Sequence, residues 1–303
     1  MTFKALKTTD FPLLKPYFAD QPFSLSIYSL ASLIAWSDCA SRTSYVVEDG
    51  VLLIDNEPLD KPEDRHLIVP FGPAGPLEPA ELSRIAERHG YRSYWFVPEE
   101  YLSLYGRAGI EARFLVEEQR EFEDYIYLTT DLAELRGNRY AKKRNLIHQF
   151  TREYLDRDRV RVEAMGPESQ AECLAFLEQW CIERECDLPS NWPLACEKKA
   201  AEATIRSLRE LEAEGLLVRI DGEVTAFGIR TRLNGQIGIL NFEKAFARIK
   251  GLYQFLDREC ARRLFQGYRY ISKESDMNIP ELAQSKMSYH PVHRVKSYRL
   301  TLR

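Results

Sequence analysis

Apolar and polar positions alternate along this chain in two registers, one of period two and one of period three to four. In residues 44–47 and 51–54, β-rich runs flank Asp49-Gly50, the signature of a tight hairpin. The same arrangement returns at 216–220 and 224–231 around Asp221-Gly222, and again before 236–242 after Asn234-Gly235. Helical spacing places Leu174, Leu177, Trp180 and Cys181 on one side of a helix over 169–184. A longer helix is predicted over 195–214, with Ala201, Ile205, Leu208 and Leu211 inward and Gly215 as its stop. Leu252, Phe255, Leu256, Cys260 and Leu264 line a third helix. In the first half, 78–89 reads as a helix closed by Gly90, and 66–69, 94–97, 112–116 and 125–128 read as strands. Residues 295–302 close the chain as a strand.

Both halves therefore run strand, two helices, three antiparallel strands, a loop and helix, then strand. That repeated order matches the GNAT acyltransferase architecture in tandem. The fold class predicted is α/β (α+β), with two GNAT-like lobes of mixed, mainly antiparallel sheets. The expected division is an N-terminal lobe over 1–130, a basic connecting helix over 131–155 and a C-terminal lobe over 156–303. Within the connecting helix, Lys142-Lys-Arg144 falls where the stripe through Tyr140, Ile147 and Phe150 should be apolar. These stems are read as snorkelling to water.

Composition narrows the function classes. A net charge of −4 argues against a general nucleic-acid coat while leaving room for a local basic groove. No apolar run reaches the roughly 18 residues that span a bilayer. Residues 1–20 lack the order of a secretory signal, so the cytoplasm is the expected location. The six cysteines form no C-x-x-C pair and the five histidines are scattered, so no metal site is expected.

The chemistry concentrates near residues 239–253. A strand ending in Glu243 and Lys244 leads through Arg248 and Lys250 into a helix, and such a loop presents free N–H groups to an anion. The GNAT pattern for coenzyme A is Gln or Arg, two residues, Gly, one residue, then Gly or Ala. Arg248 and Gly251 fit it, but Tyr253 stands where the second small residue belongs, so acetyl coenzyme A is expected to bind weakly. Gly72 and Gly75, in the proline-rich run 70–76, make no better cradle because proline removes N–H donors.

A more specific resemblance rests on Tyr125-Ile-Tyr127, Leu135-Arg-Gly-Asn138, Lys142-Lys-Arg-Asn145, Phe242-Glu-Lys244, Lys250-Gly-Leu-Tyr253 and Lys286-Met-Ser-Tyr-His-Pro291. Together these resemble a bacterial family similar to the C-terminal domain of phosphatidylglycerol lysyltransferase, and through it the Fem-type peptidyltransferases. The family reads Asn-x-Glu-x-Asp-x-Gly near its end; here Ser272 and Asn278 replace the Asn and the Gly, and Ala283 stands where an arginine is common. The membrane-spanning half of the lysyltransferases has no counterpart in these residues.

The resemblance implies acyl or aminoacyl transfer to an amine or hydroxyl, with aminoacyl-tRNA as donor and a small molecule or lipid headgroup as acceptor. Glu243 and Asp276 are the candidate catalytic carboxylates. Arg144, Lys250, Gly251, Tyr253, Glu274, Lys286 and Tyr289 are the candidate substrate-binding residues. Two alternatives stay open: a non-catalytic relative binding a small anionic metabolite, and a coenzyme A-dependent N-acyltransferase. The structural alternative for these residues is that Glu243 caps the following turn and the lysines are solvated.

Overall fold

A computed structural model describes residues 2–19, 21–39, 41–72 and 75–303, so Pro73 and Ala74 of the run 70–76 lie outside the described residues. The chain forms two compact units, one of residues 1–125, 274–284 and 293–303, the other of residues 126–273 and 285–292. Each holds a mixed, mainly antiparallel sheet with helices packed on it.

In the first unit the sheet runs Lys4–Ala5, Ser41–Glu48, Val51–Pro58, His66–Leu67, Ser93–Pro98, Ser297–Leu302, Phe114–Glu118. Asp49 and Gly50 both take positive φ, as a tight hairpin turn demands. Leu67 pairs in parallel with Tyr94, while the other neighbours are antiparallel. The late strand Ser297–Leu302 pairs antiparallel on both sides, with Val97 and Glu118 each opposite Tyr298. Leu14, Tyr28, Leu67, Leu82, Tyr94, Phe114 and Leu300 are buried in this core. The hydroxyls of Tyr94, Tyr101 and Tyr105 donate to the carbonyls of Leu82, Leu77 and Pro76, so aromatic side chains fix the loop entering the Pro79–His89 helix.

In the second unit the order is Val160–Ala164, Glu214–Ile220, Glu223–Arg232, Ile237–Ala245, Tyr270–Ser272, and then Ile126 to Leu128 of the strand Asp124–Leu128. The helix expected over 195–214 is shorter: it spans Trp192–Arg206, and successive turns to Glu212, which takes positive φ, lead into the strand at Glu214. Glu214 pairs opposite Arg230 and accepts its guanidinium at 2.5 Å, which holds the segment in the sheet.

Two features of this sheet position the site. Ile229 lies opposite Phe242 but Arg230 opposite Leu240, so Asn241 is the extra residue of a β-bulge. The bulge reverses the alternation beyond it. Glu243, paired with Gly228, thereby turns to the face that carries Gly228 and Gly238, onto which the Leu252–Arg263 helix packs. A Cβ at Gly228 would lie 2.3 Å from Cys260 Sγ, and one at Gly238 2.8 Å from the Phe265 ring. Glycine is what lets that segment approach the strands. The second feature is a short parallel pairing: Ile237, Gly238 and Ile239 match Tyr270, Ile271 and Ser272, and the ladder stops there.

Candidate functional site

Beyond the last paired residues, Ile239 and Ser272, the longer strand continues to Ala245 and Lys273 enters the space between. The Lys273 ammonium donates to Asp257 Oδ1 at 2.5 Å and to Glu243 Oε2 at 3.2 Å. Asp257 is 2% exposed on the Leu252–Arg263 helix, and among the described residues its Oδ2 has no hydrogen-bond partner. Burial pushes the Glu243 carboxyl up to about 7, opposed by the Lys273 charge and reinforced by Asp257. The Asp257 and Glu243 charges hold Lys273 protonated against its burial. A carboxyl poised near neutrality is suited to accept a proton from an incoming nucleophile.

The Tyr289 ring completes the wall. Lys273 Nζ lies 4.7 Å and Lys143 Nζ 3.8 Å from its centroid. Burial, then the Asp257 and Glu243 charges, raise the Tyr289 phenol well above its ordinary range, so it stays neutral. Tyr140, itself buried, donates to the Tyr289 carbonyl, and Tyr127 donates to that of Lys286. The Lys286 ammonium is bonded to the Lys273 carbonyl, which ties residues 285–292 to the end of the parallel strand.

The remaining sequence candidates are placed differently. Arg144 donates to the Leu135 carbonyl at 2.5 Å and the Gly137 carbonyl at 2.6 Å, bracing that loop. Gly251 opens the helix with φ 83°, and a Cβ there would lie 2.2 Å from the Leu146 carbonyl oxygen. Its exposed-looking turn is packed against the Ala141–Glu153 helix. Tyr253 accepts a hydrogen bond at 3.2 Å from Trp180 Nε1. Lys250 is exposed. The neighbouring cations are engaged: Lys244 pairs with Glu197 and lies over Trp180, and Arg248 pairs with Glu183.

Glu274 and Asp276 belong to the first unit. Glu274 has φ 57° and its carbonyl accepts from the Tyr125 amide. Asp276 Oδ2 accepts the Tyr125 hydroxyl at 2.5 Å, and its Oδ1 accepts the Asn278 amide at 2.8 Å. Asn278 itself takes φ 58°, so the turn is made without the glycine.

Thus Glu243, Lys286 and Tyr289 gather around Lys273, Asp257, Lys143 and Tyr127. Among these, Lys273, Asp257, Lys143 and Tyr127 were not selected as site residues from the sequence. Asp257 did leave a signal there: with Cys260 and Leu264 it continues the apolar stripe of its helix, where a solitary carboxylate is costly unless paired.

A conserved protein of unknown function from Bacteroides thetaiotaomicron is 25% identical and superposes with a TM-score of 0.88, each chain covered fully. The C-terminal domain of a proposed lysylphosphatidylglycerol synthetase from Agrobacterium fabrum shares the fold at 14% identity and a TM-score of 0.60, with 92% of this chain and 88% of that one covered. An uncharacterised protein of Mycoplasmoides gallisepticum is 23% identical over 180 residues; the chain spans about half the length of that curated relative, 54%. A family model described as phosphatidylglycerol lysyltransferase, C-terminal, matches residues 22–301, and the chain is an acyltransferase-like member of that family.

Proposed function

We propose that this chain transfers an acyl or aminoacyl group to an amine or hydroxyl acceptor, with Glu243 as the base. One observation carries the reading: a carboxyl raised to about 7 is held by a buried lysine where two parallel strands part. Glu243 takes the proton of the acceptor, whose freed lone pair attacks the carbonyl carbon of the donor. The bond to the leaving oxygen or sulfur then breaks, and the proton held by Glu243 is available to that leaving group.

Aminoacyl-tRNA is the donor we favour over coenzyme A. Gly251 packs on the Leu146 carbonyl and Tyr253 is tied to Trp180, which counts against a diphosphate lying on that turn. The acceptor is a small molecule or a lipid headgroup reached from solution. Among the described residues no helix is long and apolar enough to cross a membrane.

The test combines purified protein, tRNA charged with labelled amino acids, and amine or headgroup acceptors. Label should move to an acceptor, and Glu243→Gln should abolish turnover while retaining binding. Label moving from acyl coenzyme A instead would select the N-acyltransferase. Tight binding of an anionic metabolite with no transfer from any donor would replace the enzyme by a binding protein.

A further inference from the structure

We propose that Lys143, with Ser288 beside it, binds an anionic oxygen of the substrate, the oxygen of a carboxylate or a phosphate. Of the cations chosen from the sequence for that task, Arg144 and Lys286 donate to backbone carbonyls, and Lys250 is exposed on its loop. Lys143 differs. It is half-buried on the inward side of its helix, in line with buried Tyr140, Ile147 and Phe150, and among the described residues it forms no ion pair.

Its ammonium donates to Ser288 Oγ at 2.7 Å, and that hydroxyl spends its own hydrogen on the Ser285 carbonyl at 2.6 Å. A second N–H faces the Tyr289 ring. This leaves a third donor of the ammonium for a ligand. A half-buried ammonium without a counter-ion is costly, and burial lowers its proton affinity. The charges acting on it are Asp257 and Glu243, which favour its protonated form, and Lys273, which opposes it. Asp257 and Glu243 both contact Lys273 and not Lys143, so their charges act on Lys143 only from a distance. An incoming carboxylate or phosphate supplies the missing partner. The Tyr289 ring then lies between a lysine that holds the carboxylates and one that holds the ligand.

The inference rests on the transferase reading for its purpose, but its test needs no turnover. Limiting acylation by an activated ester, followed by mass spectrometry, gives the modification rate of each lysine. It is run in chloride, in inorganic phosphate and in acetate at equal ionic strength. We expect one of the two oxyanions, at about twice its Kd, to slow Lys143 about threefold while exposed Lys142 is unchanged. Phosphate protection assigns a phosphoryl group; acetate protection assigns a carboxylate. Calorimetry with the protecting ion should show binding retained in Lys143→Arg and lost in Lys143→Gln, with both variants folded by circular dichroism. Equal modification of Lys143 in all three solutions overturns the proposal, as does unchanged binding by Lys143→Gln. Protection without acyl transfer would sink the transferase and leave this site standing; transfer without protection does the reverse.

Discussion

The Lys273 ammonium sits 2.5 Å from Asp257 Oδ1, in a place where both side chains are almost wholly withdrawn from water. An ion pair in such a setting contributes little net stability, because desolvation offsets most of the attraction, but removing one partner strands the other. Asp257→Ala should therefore cost about 3–5 kcal/mol, with Lys273→Ala similar. Replacing both together, as Asp257→Ala with Lys273→Ala, should cost far less than the sum. Urea unfolding of the four proteins measures the coupling, and strict additivity would show that the pair does not act as one unit.

Glu243 gives the pH dependence. Its folded value of about 7 lies above the ordinary 4.5, so the folded protein holds a proton that the unfolded chain has released. Stability from this group is complete below about 4.5, falls as pH rises between the two values, and stays reduced above 7. Relative to wild type, Glu243→Gln should be more favourable at pH 8 than at pH 5 in denaturant titrations. Transfer activity should move the opposite way, rising through pH 7 as the carboxylate forms. A pH-independent difference in stability between the two proteins would contradict the assignment.

Two glycines with left-handed backbone should respond unequally to alanine. At Gly90, φ 74° is the obstacle, since among the described residues nothing lies within 4 Å of an added Cβ. A loss of about 1–2 kcal/mol is expected there. At Gly251 the same strain, φ 83°, is joined by a Cβ only 2.2 Å from the Leu146 carbonyl. The Gly251→Ala loss should exceed that of Gly90→Ala by about 1–3 kcal/mol. Thermal melts of the two variants provide the comparison.

His66 supplies an acid-sensitive reporter in the first unit. Its ring stacks on Trp95 with centroids 4.5 Å apart, and burial lowers its pKa from 6.5 to about 4. Because the folded value is depressed, its contribution is intact above pH 6.5 and declines as pH falls towards 4. His66→Gln should remove that part of the acid destabilisation. Trp95 fluorescence, isolated by replacing the other tryptophans with phenylalanine, should change on the same titration.

Much of the fold was legible because three hairpins and several amphipathic helices declare themselves by local spacing. The candidate site was legible only at its rim. Glu243 could be placed at a strand end, yet the face it occupies depends on the bulge at Asn241, which no period-two pattern encodes. Lys143 was visible as a charge on an inward stripe, and the general habit of long cationic stems to snorkel pointed the wrong way. What decides its orientation is the aromatic ring of Tyr289, 146 positions later in the chain. Gly251 matched a phosphate-binding spacing, but the same absence of a Cβ serves the approach of a neighbouring helix. Pairwise geometry of that kind is settled by tertiary packing and leaves no local trace.

The strand Ser297–Leu302 has a consequence in time as well as in space. During synthesis, Ser93–Pro98 and Phe114–Glu118 emerge long before the strand that separates and joins them, with the whole second unit translated in between. Until then the growing chain carries two unpaired sheet edges bearing Tyr94, Val97 and Phe114, the kind of surface that recruits other strands. The first unit to be made is thus the last to be finished. Emergence of Ser297–Leu302, rather than completion of the unit's earlier hydrophobic sequence, is the event that closes its sheet.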